Sequence, residues 1–216
     1  MQYILFDLDG TLTDSGPGIV NAIQYALNQL GMAEEDKTVL YRNFIGPPLT
    51  VSFPKMYGFS KEKTAEAIAM FHEYYDQRGI YENQPYPGIP ELLAELKEKG
   101  KQVALATSKP LNLAERVLRH FDLWQYFDQV CGGTLDESRN AKKDVIEDAL
   151  NALSVPDGSQ AVMVGDRYLD VVGAHANGLT CIGILDGGYG TREEMEEAQA
   201  DFIAADVAEL RELLLR

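Results

Sequence analysis

Short β-rich apolar stretches alternate along this chain with longer segments of helical period, and that alternation limits the possible folds more than any other feature. The stretches are "YILFDL", "KQVALAT", "FDQVCGG", "QAVMVG" and "TCIGIL", each bounded by Gly, Asp or Pro. Between them lie "IPELLAELKEKG", "LAERVLRHF" and "DVIEDALNALS", whose apolar residues recur at helical spacing. Strands alternating with helices in this way read as an α/β protein with a doubly wound parallel sheet and covering helices. The helix starting near Ile89 carries Lys97 and Lys99 in its last turn and meets Gly100, so its stop signals agree with its period.

One region breaks the alternation. From about Ser15 to Tyr86 the segments "GIVNAIQYALNQLGM" and "KEKTAEAIAMFHEYYDQRG" are helix-like, and no comfortable strand stands between them. The chain returns to the sheet at "NQPYPGIPELL", where Pro85, Pro87 and Gly88 punctuate the re-entry. The expected organisation is a core formed by residues 1–14 and 87–216, with a helical domain of residues 15–86 inserted after the first strand. The tail "DFIAADVAELRELLLR" reads as a short last strand and a closing helix.

Charge excludes some partners. Lys and Arg number 19 against 34 Asp and Glu, a formal net charge of -15, which is the wrong sign for neutralising nucleic-acid phosphates or anionic lipid headgroups. No basic segment precedes "YILFDLDG", and no run reaches the ~18 apolar residues of a membrane span, so a cytoplasmic protein is expected, without nucleic-acid or membrane partners. Cys131 and Cys181 sit in apolar runs and read as small core residues rather than as a disulfide scaffold.

The acids collect where an open parallel sheet binds ligands, outside the carboxyl ends of its strands. Strand one ends in Asp7 and Asp9, another ends in "TSK" (Thr107 to Lys109), and "AVMVG" ends in Asp166 with Asp170 beyond it. Lys142 and Lys143 open the helix before that last strand. Carboxylates repel one another and are costly to desolvate, so such a gathering points to a bound hard cation, Mg²⁺ being the one that prefers a few carboxylates together with water and phosphate oxygens. The plainer reading, helix caps, stays open for Asp14 and for Asp166, but Asp7 lies inside the apolar alternation, where a cap has no place.

The set "DLDGTLTDS", "ATSKP", "SRNAKKDVI" and "VGDRYLD", in that order along essentially the whole chain, resembles the haloacid dehalogenase superfamily, and most of all its phosphoglycolate phosphatase-like members with a helical cap. The resemblance implies a Mg²⁺-dependent phosphatase that acts on a small phosphomonoester through an aspartyl-phosphate. Asp7 would be the nucleophile, and Asp9 would protonate the leaving alcohol and then deprotonate the hydrolytic water. The metal would be held by the Asp7 side chain, the Asp9 backbone carbonyl and Asp166, with Asp170 in support. Thr107, Ser108 and Lys142 would bind phosphoryl oxygens, Lys142 being favoured over Lys143. Gly10 would let backbone amides approach the phosphate, and Thr11 would fix that loop. In the cap segment "YRNFIGPPL", Arg42 is the candidate for a substrate carboxylate or second anion.

The same resemblance separates the reactions. Dehalogenase relatives lack the second acid, present here as Asp9, and phosphonate-cleaving relatives need a cap lysine; of the insert's Lys55, Lys61 and Lys63, the last two lie on a polar stretch. A sugar phosphomutase is the enzymatic alternative, and a phosphorylatable receiver-type signalling domain is the non-enzymatic one, although receivers have no insert after the first strand. Phosphoglycolate and nucleoside monophosphates both remain open as substrates, and a monomer or weak homodimer is expected. Three scattered histidines, His72, His120 and His175, show no ligand spacing. "REEMEE" reads as a solvated helix face, and "GGYG" near Gly187 lacks a nucleotide-loop context.

Overall fold

The computed structural model describes residues 1–134 and 138–216. In chain order its elements begin with β1 (Tyr3–Phe6) and continue through α1 (Gly16–Gln29), α2 (Lys37–Phe44), α3 (Leu49–Tyr57), α4 (Lys61–Tyr75) and α5 (Ile89–Glu98). There follow β2 (Gln102–Pro110), α6 (Leu111–His120), β3 (Gln129–Gly133), α7 (Lys142–Ala152), β4 (Ala161–Gly165) and α8 (Tyr168–Ala176). The chain closes with β5 (Thr180–Ile184), α9 (Arg192–Glu197), β6 (Phe202–Ala204) and α10 (Val207–Leu215). Two compact units emerge, Met1–Asp14 with Pro85–Arg216, and Ser15–Gln84.

The first unit is the α/β body. Its six strands pair in parallel in the order β3-β2-β1-β4-β5-β6. The chain winds outward from β1 to β3, crosses back, and winds the other way from β4 to β6, so the reversal falls between β1 and β4. A crevice opens at such a switch point, and ligands bind there. Ile4, Leu5 and Phe6 of β1 and Ala161 to Val164 of β4 are fully buried, which explains why both strands read as continuous apolar runs rather than as alternating ones. Leu5, Ala106, Met163, Ile146 and Val171 share one core cluster, so the two strands that deliver the acids stand on packed hydrophobic layers.

The second unit consists of α1 to α4 and a short 3-10 turn, Gly79–Tyr81. Two of its helices, α2 and α3, have no counterpart in the sequence reading. They are only 8 and 9 residues long, α3 holds Pro54 in its interior, and Pro47 and Pro48 separate the pair, so neither displays a sustained period. Local chemistry fixes their ends: Asp36 caps α2 by accepting from the Thr38 amide at 2.7 Å, and Gly58 closes α3 in the left-handed region. Phe44 meets Phe53 edge-on at 5.0 Å and Phe53 stacks on Phe59 at 5.8 Å, a small aromatic core for these short helices.

The second unit ends at Gln84, two residues before the boundary expected from composition. Pro85 and Tyr86 belong to the α/β body because Thr13 bridges to Pro85 and the Tyr86 amide donates to the Leu12 carbonyl at 3.0 Å. Both cysteines are free thiols, and burial pushes each of them up, which leaves little thiolate for chemistry. Among the described residues no helix is long and apolar enough to cross a membrane.

Candidate active site

Asp7 is the first residue after β1, and its amide donates to the Val164 carbonyl at 2.9 Å, so the ladder with β4 runs to the base of this side chain. The chain then turns tightly, the amides of Thr11, Leu12 and Thr13 all donating to the Leu8 carbonyl at 3.3, 2.9 and 3.1 Å. Gly10 sits in this turn with φ +83°, and a Cβ there would lie 2.4 Å from Asp166 Oδ2. Only glycine permits both the backbone angle and the approach. The Thr11 hydroxyl, fully buried, donates to Asp166 Oδ1 at 3.2 Å, so the first motif reaches directly onto the end of β4.

Asp7, Asp166 and Asp170 each offer a carboxylate oxygen, and the three oxygens lie within 4.8 Å of one another. Lys142, the first residue of α7, places Nζ 2.8 Å from Asp7 Oδ1 and 3.0 Å from Asp170 Oδ1, and donates to the Ala106 carbonyl at 3.3 Å. Its neighbour Lys143 is exposed. Burial alone would pull the Lys142 ammonium down, but Asp170 and Asp7 together outweigh burial and hold it up, firmly charged. Burial drives the carboxyls the other way: Asp166 is pushed up to about 8 by desolvation and then by the charges of Asp170 and Asp7. Asp170 is pushed up to about 6 by desolvation, against the pull of Lys142.

These shifts describe a cluster short of positive charge. Three carboxylates face one ammonium, and the Tyr189 amide and the charge of Arg167 offset only part of the rise of Asp166. A hard divalent cation fits this donor set, since it supplies the missing charge to oxygen ligands. Asp170 is committed to neighbours on both oxygens, its Oδ1 facing the Lys142 ammonium and its Oδ2 accepting from the Arg167 amide at 3.0 Å, which fastens the start of α8. Asp166 itself caps no helix, which resolves the alternative left open for it, and Asp14 caps none either, since it accepts from the Tyr189 hydroxyl at 2.8 Å.

Asp9 stands apart from the three clustered acids. Both its oxygens accept from Lys109 Nζ, at 3.1 and 3.0 Å, and the lysine side chain is only 5 % exposed. Thr107 is buried in β2, where the strand's register with β3 shifts, with Oγ1 accepting from the Lys109 amide at 3.3 Å, and Ser108 is half-buried beside it. Arg42 is exposed in the last turn of α2, in the second unit.

Three further residues join the site that sequence reasoning passed over. Lys109 was visible as the lysine closing "TSK", but its partner is 100 positions away. Tyr189 of "GGYG" donates its amide to Asp166 Oδ2 at 2.8 Å, so that loop belongs to the acid cluster. Glu194 lies on α9, the supposed solvated face, and accepts from Arg167 Nε at 2.9 Å and from the Tyr168 amide at 2.8 Å, while Met195 beside it is fully buried. That short helix buttresses the loop after β4.

Comparison with known proteins agrees with this geometry. The model of the haloacid dehalogenase-like hydrolase family matches residues 4–184. A 5'-nucleotidase of Pseudomonas aeruginosa is 40% identical over 98% of this chain and 94% of its own length. The tyrosine-protein kinase PtkA of Mycobacterium tuberculosis is 40% identical over 99% of this chain and 72% of its own length. A phosphoglycolate phosphatase of Vibrio cholerae is 31% identical over 100% of this chain and 97% of its own. Among solved structures, one described as a predicted phosphatase from Clostridium acetobutylicum superposes with a TM-score of 0.93 at 42% identity, covering 99% of this chain and 98% of that one. Sheet order, acid cluster and relatives converge: the chain belongs to the haloacid dehalogenase-like hydrolases.

Proposed function

We propose that this chain hydrolyses a small phosphomonoester, a nucleoside monophosphate or a phosphoglycolate-like ester, through an aspartyl-phosphate on Asp7. The observation that carries this reading is the convergence of Asp7, Asp166, Asp170 and Lys142 at the point where the strand order reverses. A carboxylate needs no deprotonation to attack phosphorus, so Asp7 serves as nucleophile at neutral pH. Its oxygen bonds to phosphorus as the ester P–O bond breaks, and Asp9 gives the leaving alcohol its proton. Asp9 then takes a proton from water, whose oxygen attacks the phosphorus of the acyl phosphate and frees Asp7 and inorganic phosphate. Lys142 orients Asp7 and keeps positive charge beside the attacking oxygen. Its three N–H groups already face Asp7, Asp170 and the Ala106 carbonyl, so binding a phosphoryl oxygen exchanges one of these contacts. Thr107 offers a further hydroxyl from β2. Asp7, Asp166 and the Asp9 carbonyl are the groups that would hold Mg²⁺, which neutralises phosphoryl charge when bound.

A panel of nucleoside monophosphates, phosphoglycolate and sugar phosphates tests this directly. The expected result is release of inorganic phosphate in step with free alcohol from at least one ester, abolished by excess chelator and restored by Mg²⁺, with Ca²⁺ inhibiting. Full turnover in excess chelator overturns the cation requirement. Phosphate that reappears on a second acceptor, with none released, replaces the hydrolase with a mutase.

The acid cluster also predicts a pH-dependent cation effect. Asp166 and Asp170 are raised to about 8 and about 6, whereas an unfolded Asp titrates near 3.9, so between these values the folded protein binds more protons than the unfolded one. Stability of the cation-free protein therefore falls as pH rises from about 4 toward 8. Mg²⁺ competes with those protons, so its stabilising effect should be small at pH 5.5 and much larger at pH 8. Thermal melts with and without Mg²⁺ at the two pH values check this, and an equal shift at both removes the basis for placing the cation on Asp166.

A further inference from the structure

The "GGYG" loop approaches Asp166 more closely than a connecting loop needs to. A Cβ on Gly188 would lie 2.7 Å from Asp166 Cβ, and one on Gly190 would lie 1.9 Å from the Asp166 carbonyl oxygen. Two glycines therefore let the Tyr189 backbone lie flat against this aspartate, and its amide donates to Oδ2 at 2.8 Å. That donor and the Thr11 hydroxyl on Oδ1 together fix both oxygens of Asp166, and with them the rotation of the carboxylate plane.

The loop itself is held at two places. Tyr189 extends its hydroxyl to Asp14 Oδ1 at 2.8 Å, across 175 positions of sequence, and the Tyr86 hydroxyl donates to the Gly187 carbonyl. Burial holds both phenols well above the ordinary tyrosine range, so each stays a protonated donor through the neutral range. Asp14 follows the nucleophile's own turn, which means that the first motif and the loop after β5 are tied together around Asp166.

We propose that Tyr189 is a positioning residue for cation binding: its hydroxyl, anchored on Asp14, keeps its amide on Asp166 and so presets the orientation of that carboxylate toward Asp7. This rests on the phosphatase reading only in taking Asp166 as a cation ligand. Partners of a ligand that orient it typically contribute ~10–100-fold to metal affinity, although they touch no metal.

The test is the Mg²⁺ concentration that gives the half-maximal thermal shift of the resting protein, a readout that needs no turnover. Tyr189→Phe keeps the ring and removes the anchor, and should raise that midpoint by ~10-fold or more. Asp14→Ala should do the same, and the double variant should lose less than the sum of the two single ones, because both remove the Tyr189–Asp14 hydrogen bond. Asp14→Asn keeps an acceptor oxygen and should restore most of the affinity. Should Tyr189→Phe lower only the melting temperature of the cation-free protein and leave the Mg²⁺ midpoint in place, Tyr189 is merely structural and the inference is overturned. A wild-type chain that shows no Mg²⁺ shift at all overturns the inference together with the cation assignment. A wild-type chain that shows the shift but hydrolyses no ester defeats the phosphatase reading and leaves the Tyr189 comparison fully legible.

Discussion

Asp7→Asn should abolish turnover by ~10⁴-fold or more, the scale of loss when a covalent nucleophile is removed. The substitution keeps the shape of the side chain and takes away the attacking charge, so no phosphoenzyme can form. Folding should survive. Asp7 belongs to a buried group of three carboxylates facing one ammonium, and removing one negative charge still leaves Lys142 paired with Asp170 at 3.0 Å. Like charges that are desolvated together raise one another's cost, so the cation-free variant should melt no lower than the wild type, and with Asp7 gone Asp166 and Asp170 should ionise more readily. This combination separates a chemical defect from a folding defect. The measurements are steady-state hydrolysis of a generic aryl phosphate, a thermal melt, and the intact mass of the protein quenched during turnover. More than about one part in a hundred of the activity remaining, with the melt unchanged, would remove Asp7 from the nucleophile's role, since covalent catalysis accounts for far more than that.

The acids of this site were legible in the sequence because strand ends were. Asp7 and Asp166 each close an apolar run, and a carboxylate at the end of a buried strand has few reasons to be there other than a ligand. The alternation of period gave the architecture, and the order of the motifs gave the superfamily. What could not be read were pairings set by the sheet order, since periodicity does not say which strand lies beside which. Lys109 and Asp9 meet because β2 lies next to β1, and Tyr189 reaches Asp14 and Asp166 because β5 lies one strand beyond β4. "GGYG" was unremarkable by composition, and only the closeness of its glycines to Asp166 shows what they permit. The charge run that marks α9 as a solvated face holds for Arg192, Glu193, Glu196 and Glu197, which are exposed, but does not show what Glu194 and Met195 do. In a helix of 6 residues one buried methionine and one glutamate aimed at Arg167 outweigh the exposed charges around them.

Lys109 changes what is expected of the second acid. With both oxygens on an ammonium whose side chain is 5 % exposed, Asp9 is held in one rotamer as half of an ion pair, and that pair has to open before Asp9 can carry a proton to a departing alcohol. Asp9→Asn removes the charge from this pair and leaves a largely buried ammonium with weaker compensation. Unlike Asp7→Asn, it should therefore lower the melting temperature.

Its kinetic effect should depend on the leaving group. Proton transfer typically contributes ~10²–10⁴-fold, and an ester of a poor alcohol leaving group should lose all of it in Asp9→Asn. A nitrophenolate departs without a proton, so phosphorylation of Asp7 by nitrophenyl phosphate should be partly spared. The second half-reaction still needs Asp9 to deprotonate water, and it should stall whichever ester was used. The variant given nitrophenyl phosphate should then release a burst of nitrophenol approaching one equivalent per chain, with slow turnover after it, and should carry an added phosphate mass on Asp7. The Asp9 backbone carbonyl is unchanged by the substitution, so loss of cation binding does not account for such a pattern. Equal losses for both leaving groups, with neither burst nor phosphoenzyme, would show that Asp9 serves the fold through Lys109 and not the chemistry.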